Sequence, residues 1–195
     1  MSESMPVLHG ISLLNDEDIQ ELYAGRHCRL FEKLGARVME AAGQPGVLFA
    51  ALYPAAEAVS VVGDFNDWDP AAHPLLPRTD GSGIWEGFVP DLAPGASYQH
   101  HVVSREGTFV ARKADPFARK AGEPLGAASV VWEPEHVFSD QEWMTARSRR
   151  QGARDAIAAL EVHLGSWQRV PEEDARMLTH DELAWRLGEY IQETG

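Results

Sequence analysis

Between residues 46 and 132 apolar positions recur every second residue, in short runs broken by turn formers. The alternation predicts strands over 46–53, 58–65, 84–89, 97–104, 108–112 and 128–132. The breaks fall at Pro54, Asn66-Asp67, Asp80-Gly81-Ser82-Gly83, Pro94-Gly95, Glu106-Gly107 and Pro124. Short strands this closely spaced, over roughly ninety residues, predict an antiparallel β-sandwich of immunoglobulin type.

Outside that region the period lengthens. Asn15 is placed to cap a helix whose first turn holds Asp16, Glu17 and Asp18. Leu14 and Ile19 sit at staple spacing, and Gly25 offers a stop. A second short helix is expected over 29–34. Ser139-Asp140-Gln141-Glu142 matches a capping box and predicts a helix to Arg147, with a polar, basic linker after it. Residues 156–163 form an almost continuous apolar run, the pattern of a strand buried on both faces. Thr179-His180-Asp181-Glu182 is another capping box, followed by the stripe Leu183, Leu187, Tyr190 and Ile191. The expected division is a helical segment over 1–45, a sandwich over 46–135, a linker with a short helix over 136–155, and a strand–helix unit over 156–195.

Composition narrows the function. The chain has 195 residues, 44% of them hydrophobic, and a net charge of -13. A surface this acidic repels phosphate backbones, so no nucleic-acid partner is expected. No run approaches the ~20 apolar residues of a membrane helix, and no basic-then-apolar leader opens the chain. No membrane partner and a cytoplasmic location follow as expectations. Cys28 is the single cysteine and reads as a buried thiol. His100 and His101 point to opposite faces of a strand, so they form no metal pair; neither metal nor cofactor is expected.

Four motifs carry two resemblances. Val62-Gly63-Asp64-Phe65-Asn66-Asp67-Trp68-Asp69, Gly83-Ile84-Trp85-Glu86 and Lys113-Ala114-Asp115-Pro116-Phe117 resemble, in this order, the family 48 carbohydrate-binding modules. Glu161-Val162-His163-Leu164-Gly165-Ser166-Trp167 resembles the first barrel strand of glycogen (1,4-α-glucan) branching enzymes, members of glycoside hydrolase family 13. The resemblance implies a mainly β fold: an immunoglobulin-like (E-set) sandwich with short N-terminal helices, then the first strand and helix of a truncated (β/α)₈ barrel. One departure is Ala159-Leu160, where the family carries an aromatic before the glutamate.

The implied partner is α-glucan, as glycogen or maltooligosaccharides, bound weakly. By motif, the sugar-face positions are Trp68, Phe109, Gln99, Leu125 and Ser129. Gln99 stands where related kinase-subunit modules have a lysine, and Ser129 stands near their asparagine. Trp68 has two open readings, sugar platform or packing; Trp85, Phe65 and Phe88 read as core. The implied reaction moves an α-1,4-glucan segment to a 6-hydroxyl, making an α-1,6 branch through a retaining pair of carboxylates. Those carboxylates come from later barrel strands, and this sequence stops at Gly195. No catalytic residue is therefore assigned, and the chain alone is expected to be non-catalytic. The alternative reading is a free-standing glucan-binding or protein-docking module.

Overall fold

Asn15 opens α1 (Asp16–Tyr23) as its cap. The Asn15 side-chain oxygen accepts from the Asp18 N–H at 2.9 Å, and the Asp18 carboxylate accepts from the Asn15 N–H at 2.8 Å. Two amides that the helix start leaves unpaired are thus satisfied reciprocally. Leu14 and Ile19 flank the cap and are buried together with Leu34, Ala50 and Ile84. Gly25 takes a left-handed φ of +67° just past the helix, the geometry of a stop. The computed structural model describes residues 6–105, 110–123, 128–134, 136–150 and 159–194.

The expected second helix is a single 3-10 turn, Leu30–Glu32, and Cys28 beside it is exposed rather than buried. The sheet then begins earlier than the alternation suggests. β1 (Gly35–Ala41) and β2 (Gln44–Leu52) form a hairpin, with Gly35 opposite Ala50 and Ala41 opposite Gln44. A buried arginine hides β1 from a period-two reading. Arg37 donates to the carbonyls of Phe31, Glu32 and Ala36, which ties the 3-10 turn to the strand.

The remaining strands of this body are β3 (Ala56–Gly63), β4 (Pro74–Pro77), β5 (Ile84–Pro90), β6 (Ser97–Ser104), β7 (Val110–Lys113), β8 (Lys120–Ala121) and β9 (Ser129–Val130). They run antiparallel in the order β1-β2-β5-β4-β3-β6-β9-β8, with β7 beside β6. β4 joins the two layers. Its Leu75 pairs with Val59 of β3, and its Leu76 pairs with Glu86 of β5. The alternation does not predict β4, a short strand with Pro74 and Pro77 at its two ends.

One core lies between the layers. Val47, Phe49, Trp85 and Val89 from β2 and β5 pack with Val59, Val61, Tyr98 and Val102 from β3 and β6. β2 is buried on its other face as well, because α1 and Ile84 cover Ala50 there. Its middle therefore reads as an unbroken apolar run. This mainly β body is the immunoglobulin-like sandwich that the alternation predicts.

Residues 138–195 form a separate unit. α2 (Gln141–Arg150) starts one residue later than its capping box suggests and extends into the stretch read as a linker. β10 (Arg169–Val170) and β11 (Arg176–Met177) form a small hairpin, and α3 (His180–Thr194) follows. Thr179 caps α3 reciprocally with Glu182, at 3.3 Å and 2.8 Å. Leu183 is buried on the α3 stripe, while Tyr190 and Ile191 are exposed. The strand expected over 156–163 is absent from 159–163; residues 156–158 lie outside the described residues. A buried parallel strand exists only where neighbours take its N–H and C=O groups, and no described residue pairs with 159–163.

Candidate functional site

Gly63 ends β3 where the backbone passes close to β6. A Cβ at this position would lie 2.2 Å from the Ser97 carbonyl oxygen and 2.5 Å from the Phe65 ring, so no side chain fits. The chain then enters a 3-10 turn, Asp64–Asn66. Asn66 locks the turn. Its Oδ1 accepts from the Gly63 N–H at 2.8 Å, its Nδ2 donates to the Val61 carbonyl at 2.9 Å, and the same nitrogen is 2.8 Å from His73 Nδ1. Phe65 points inward against the core.

Asp67 and Trp68 both adopt left-handed backbone, with φ of +53° and +60°. Each such non-glycine residue costs about 1 kcal/mol or more, so the turn must be held by its surroundings. The Trp68 N–H donates to the Gly63 carbonyl at 3.0 Å and closes the loop. The Trp68 ring is half-buried, and its Nε1 donates to Asp64 Oδ1 at 3.2 Å. Arg112 of β7 donates from Nη2 to the Trp68 carbonyl at 3.2 Å, with its guanidinium carbon 5.8 Å from the ring centroid.

Gln99 sits on β6 opposite Val62 of β3. Along β6 the side chains alternate: Tyr98, His100 and Val102 are buried, while Gln99, His101 and Val103 are half-buried on the outer face. Arg112 lies directly opposite His101. Gln99, His101 and Arg112 therefore share one face, and Arg112 links that face to Trp68. The sequence reading passed over Arg112. The available signal was its strand parity, one residue before Lys113 and three before the buried Asp115.

Ser129 requires a correction. It is 1% exposed, and its hydroxyl accepts from the Asp115 N–H at 2.8 Å. A group held in this way has no surface to offer a sugar. The neighbouring motif is structural for the same reason: the Asp115 carboxylate accepts from the Tyr98 hydroxyl at 2.6 Å and from the Phe117 N–H at 2.8 Å. Phe109 and Leu125 lie outside the described residues. Trp85 and Phe88 are core, and Trp85 Nε1 donates to the Tyr53 carbonyl at 3.1 Å.

Behind this face His100 is fully buried, with the Tyr53 hydroxyl 3.1 Å from its Nδ1. Its Nε2 meets no hydrogen-bond partner among the described residues. Burial lowers the His100 pKa, and the Asp115 charge opposes that only in part. Burial likewise pushes the Tyr53 hydroxyl up to about 12.

In the second unit, two carboxylates that follow the 161–167 motif, Glu173 and Glu182, are committed to one arginine. Arg176 binds Glu173 at 2.7 Å and Glu182 at 2.8 Å. The Arg176 bond first, then the Thr179 N–H, bring Glu182 down to about 2. His163 Nδ1 lies 2.9 Å from the Ser166 hydroxyl. Among the described residues no three His, Cys, Asp or Glu side chains group as they would around a metal ion. No described helix is long and apolar enough to cross a membrane.

Residues 33–118 match the family model of carbohydrate-binding module 48 (isoamylase N-terminal domain). Over 184 residues, 94% of this chain, it is 45% identical to the 1,4-alpha-glucan branching enzyme GlgB of Paramagnetospirillum magneticum, of which it covers 25%. The GlgB enzymes of Aquifex aeolicus and Paraburkholderia xenovorans are 41% and 44% identical, also over 94% of this chain. Among solved structures, a putative alpha amylase from Salmonella typhimurium overlaps 56% of this chain and 16% of its own, with a TM-score of 0.43 and 18% identity. The chain thus spans about a quarter of the length of the curated relatives it matches. Over 94% of its length the chain is therefore similar to a quarter-length stretch of the 1,4-alpha-glucan branching enzymes, and within it residues 33–118 match the carbohydrate-binding module 48 model.

Proposed function

We propose that this chain is the glucan-holding portion of a cytoplasmic 1,4-α-glucan branching enzyme, and that Trp68 and Gln99 form its sugar face. One observation carries the reading. The chain accepts two left-handed residues in succession in order to place a half-buried indole on the outside of the sandwich. A packing tryptophan needs no such turn, as Trp85 illustrates from within β5. Glucose presents a face of C–H groups that stacks on a flat ring, and its hydroxyls take directed bonds from groups such as the Gln99 amide. Phe109 and Leu125, named by motif, complete the proposed face. A face with few directed polar partners supports weak binding.

Bond making and breaking is not proposed for these residues. A retaining reaction needs two carboxylates roughly 5 Å apart flanking the sugar, one of them free to attack. Glu173 and Glu182 are instead bound to one guanidinium. The chain contributes polymer holding to α-1,6 branch formation, not the transfer itself. Electrophoresis through glycogen-containing native gels tests this directly: the protein is retarded, and Trp68→Ala migrates as it does without glycogen. Equal retardation of the two proteins would remove Trp68 from the site. Iodine-stained amylose keeps its colour when incubated with the protein alone, and a shift toward a branched product would overturn the division of labour.

A further inference from the structure

We infer that Arg112 is the positioning residue that sets the Trp68 platform: it holds the indole from one side and leaves a single ring face for sugar. The inference rests on the glucan reading of Trp68 and adds a residue that no family motif supplies. Its basis is geometric. The turn from Asp64 to Asp69 is joined to β3 by the Trp68–Gly63 bond, and the ring is fixed at its edge by Asp64. Neither contact reaches across to β7. Arg112 supplies that link, with one nitrogen on the Trp68 carbonyl at 3.2 Å and its guanidinium 5.8 Å from the ring centroid.

The side chain suits this task. A guanidinium is planar, always charged and carries five donors, so one residue can bond a carbonyl while lying against an aromatic face. At 5.8 Å the cation is near the outer limit of ring attraction, so the carbonyl bond is the stronger hold. Arg112 is exposed, and among the described residues it makes no ion pair at salt-bridge distance, although the chain carries a net charge of -13. The strand brings it to this place: opposite His101, on the outer face of β6 that also carries Gln99. With a guanidinium on one side of the ring, an incoming glucose unit takes the other.

Two measurements on the intact chain test this separately from the glucan reading. In ¹H–¹⁵N spectra of the free protein, the Trp68 indole resonance is assigned by its loss in Trp68→Phe. Arg112→Ala moves or broadens that resonance, and Arg112→Lys restores most of its position. In parallel, Arg112→Ala weakens maltoheptaose binding about three- to tenfold, the worth of one or two modest polar contacts, with the melting midpoint unchanged. An indole resonance that is the same in wild type and Arg112→Ala overturns the inference. A moved resonance in a protein that binds no maltoheptaose upholds the hold on Trp68 and removes the glucan reading instead.

Discussion

His100 pairs complete burial with a titratable ring, and its neighbours decide how it responds to acid. Burial disfavours the imidazolium, so the folded chain keeps His100 neutral at a pH where the unfolded chain, with an ordinary histidine near 6.5, takes up a proton. Below about pH 6.5 the unfolded state binds more protons, and stability falls as pH falls. Asp18 acts in a different window. Burial alone would raise its pKa, but bonds from the Asn15 N–H, Lys33 and His27 outweigh that and bring it down to about 2. A depressed carboxylate contributes stability above the unfolded value near 3.8, and that stability is lost as pH drops through about 2. Between pH 7 and pH 5 the histidine effect therefore stands apart from Asp18. His100→Gln should lose less of its melting midpoint over that interval than wild type does, as differential scanning calorimetry would read. Equal losses would show that His100 already titrates normally in the fold.

Among the elements, α1 is the one whose every signal agrees. Cap, acidic first turn, staple and glycine stop were all legible, and each takes the expected geometry. Asn15→Ala removes one half of the reciprocal cap and should cost about 1 kcal/mol, a drop of a few degrees in the melting midpoint. An unchanged midpoint would mean that packing of Ile19 alone holds the helix. The strands were legible where side chains alternate, as along β6, and illegible where another force intervenes. β1 is masked by its buried Arg37, and β4 by prolines at its ends. The run at 159–163 shows the reverse error: its apolar pattern specifies burial, but only a neighbouring strand makes a strand of it. Site residues divide in the same way. Trp68 could be read from its turn motif, whereas the inward turn of Ser129 depends on the Asp115 amide it meets in three dimensions. Arg112 matters through a contact between β7 and a turn more than forty residues away, which no local pattern encodes.

At the scale of the whole molecule, a sandwich with an acidic surface displays a tethered indole beside a row of outward polar groups, and its sequence follows a quarter of the length of the branching enzymes. A neutral polymer is unaffected by the net charge, so its binding should depend little on salt, unlike that of any phosphate-bearing partner. The central claim is that glucan is held at Trp68. Isothermal titration with maltoheptaose measures this in one experiment: wild type gives a saturable heat in the weak-affinity range and Trp68→Ala, folded by its unchanged melting midpoint, gives none. Equal heats from the two proteins, or no heat from wild type, would contradict it.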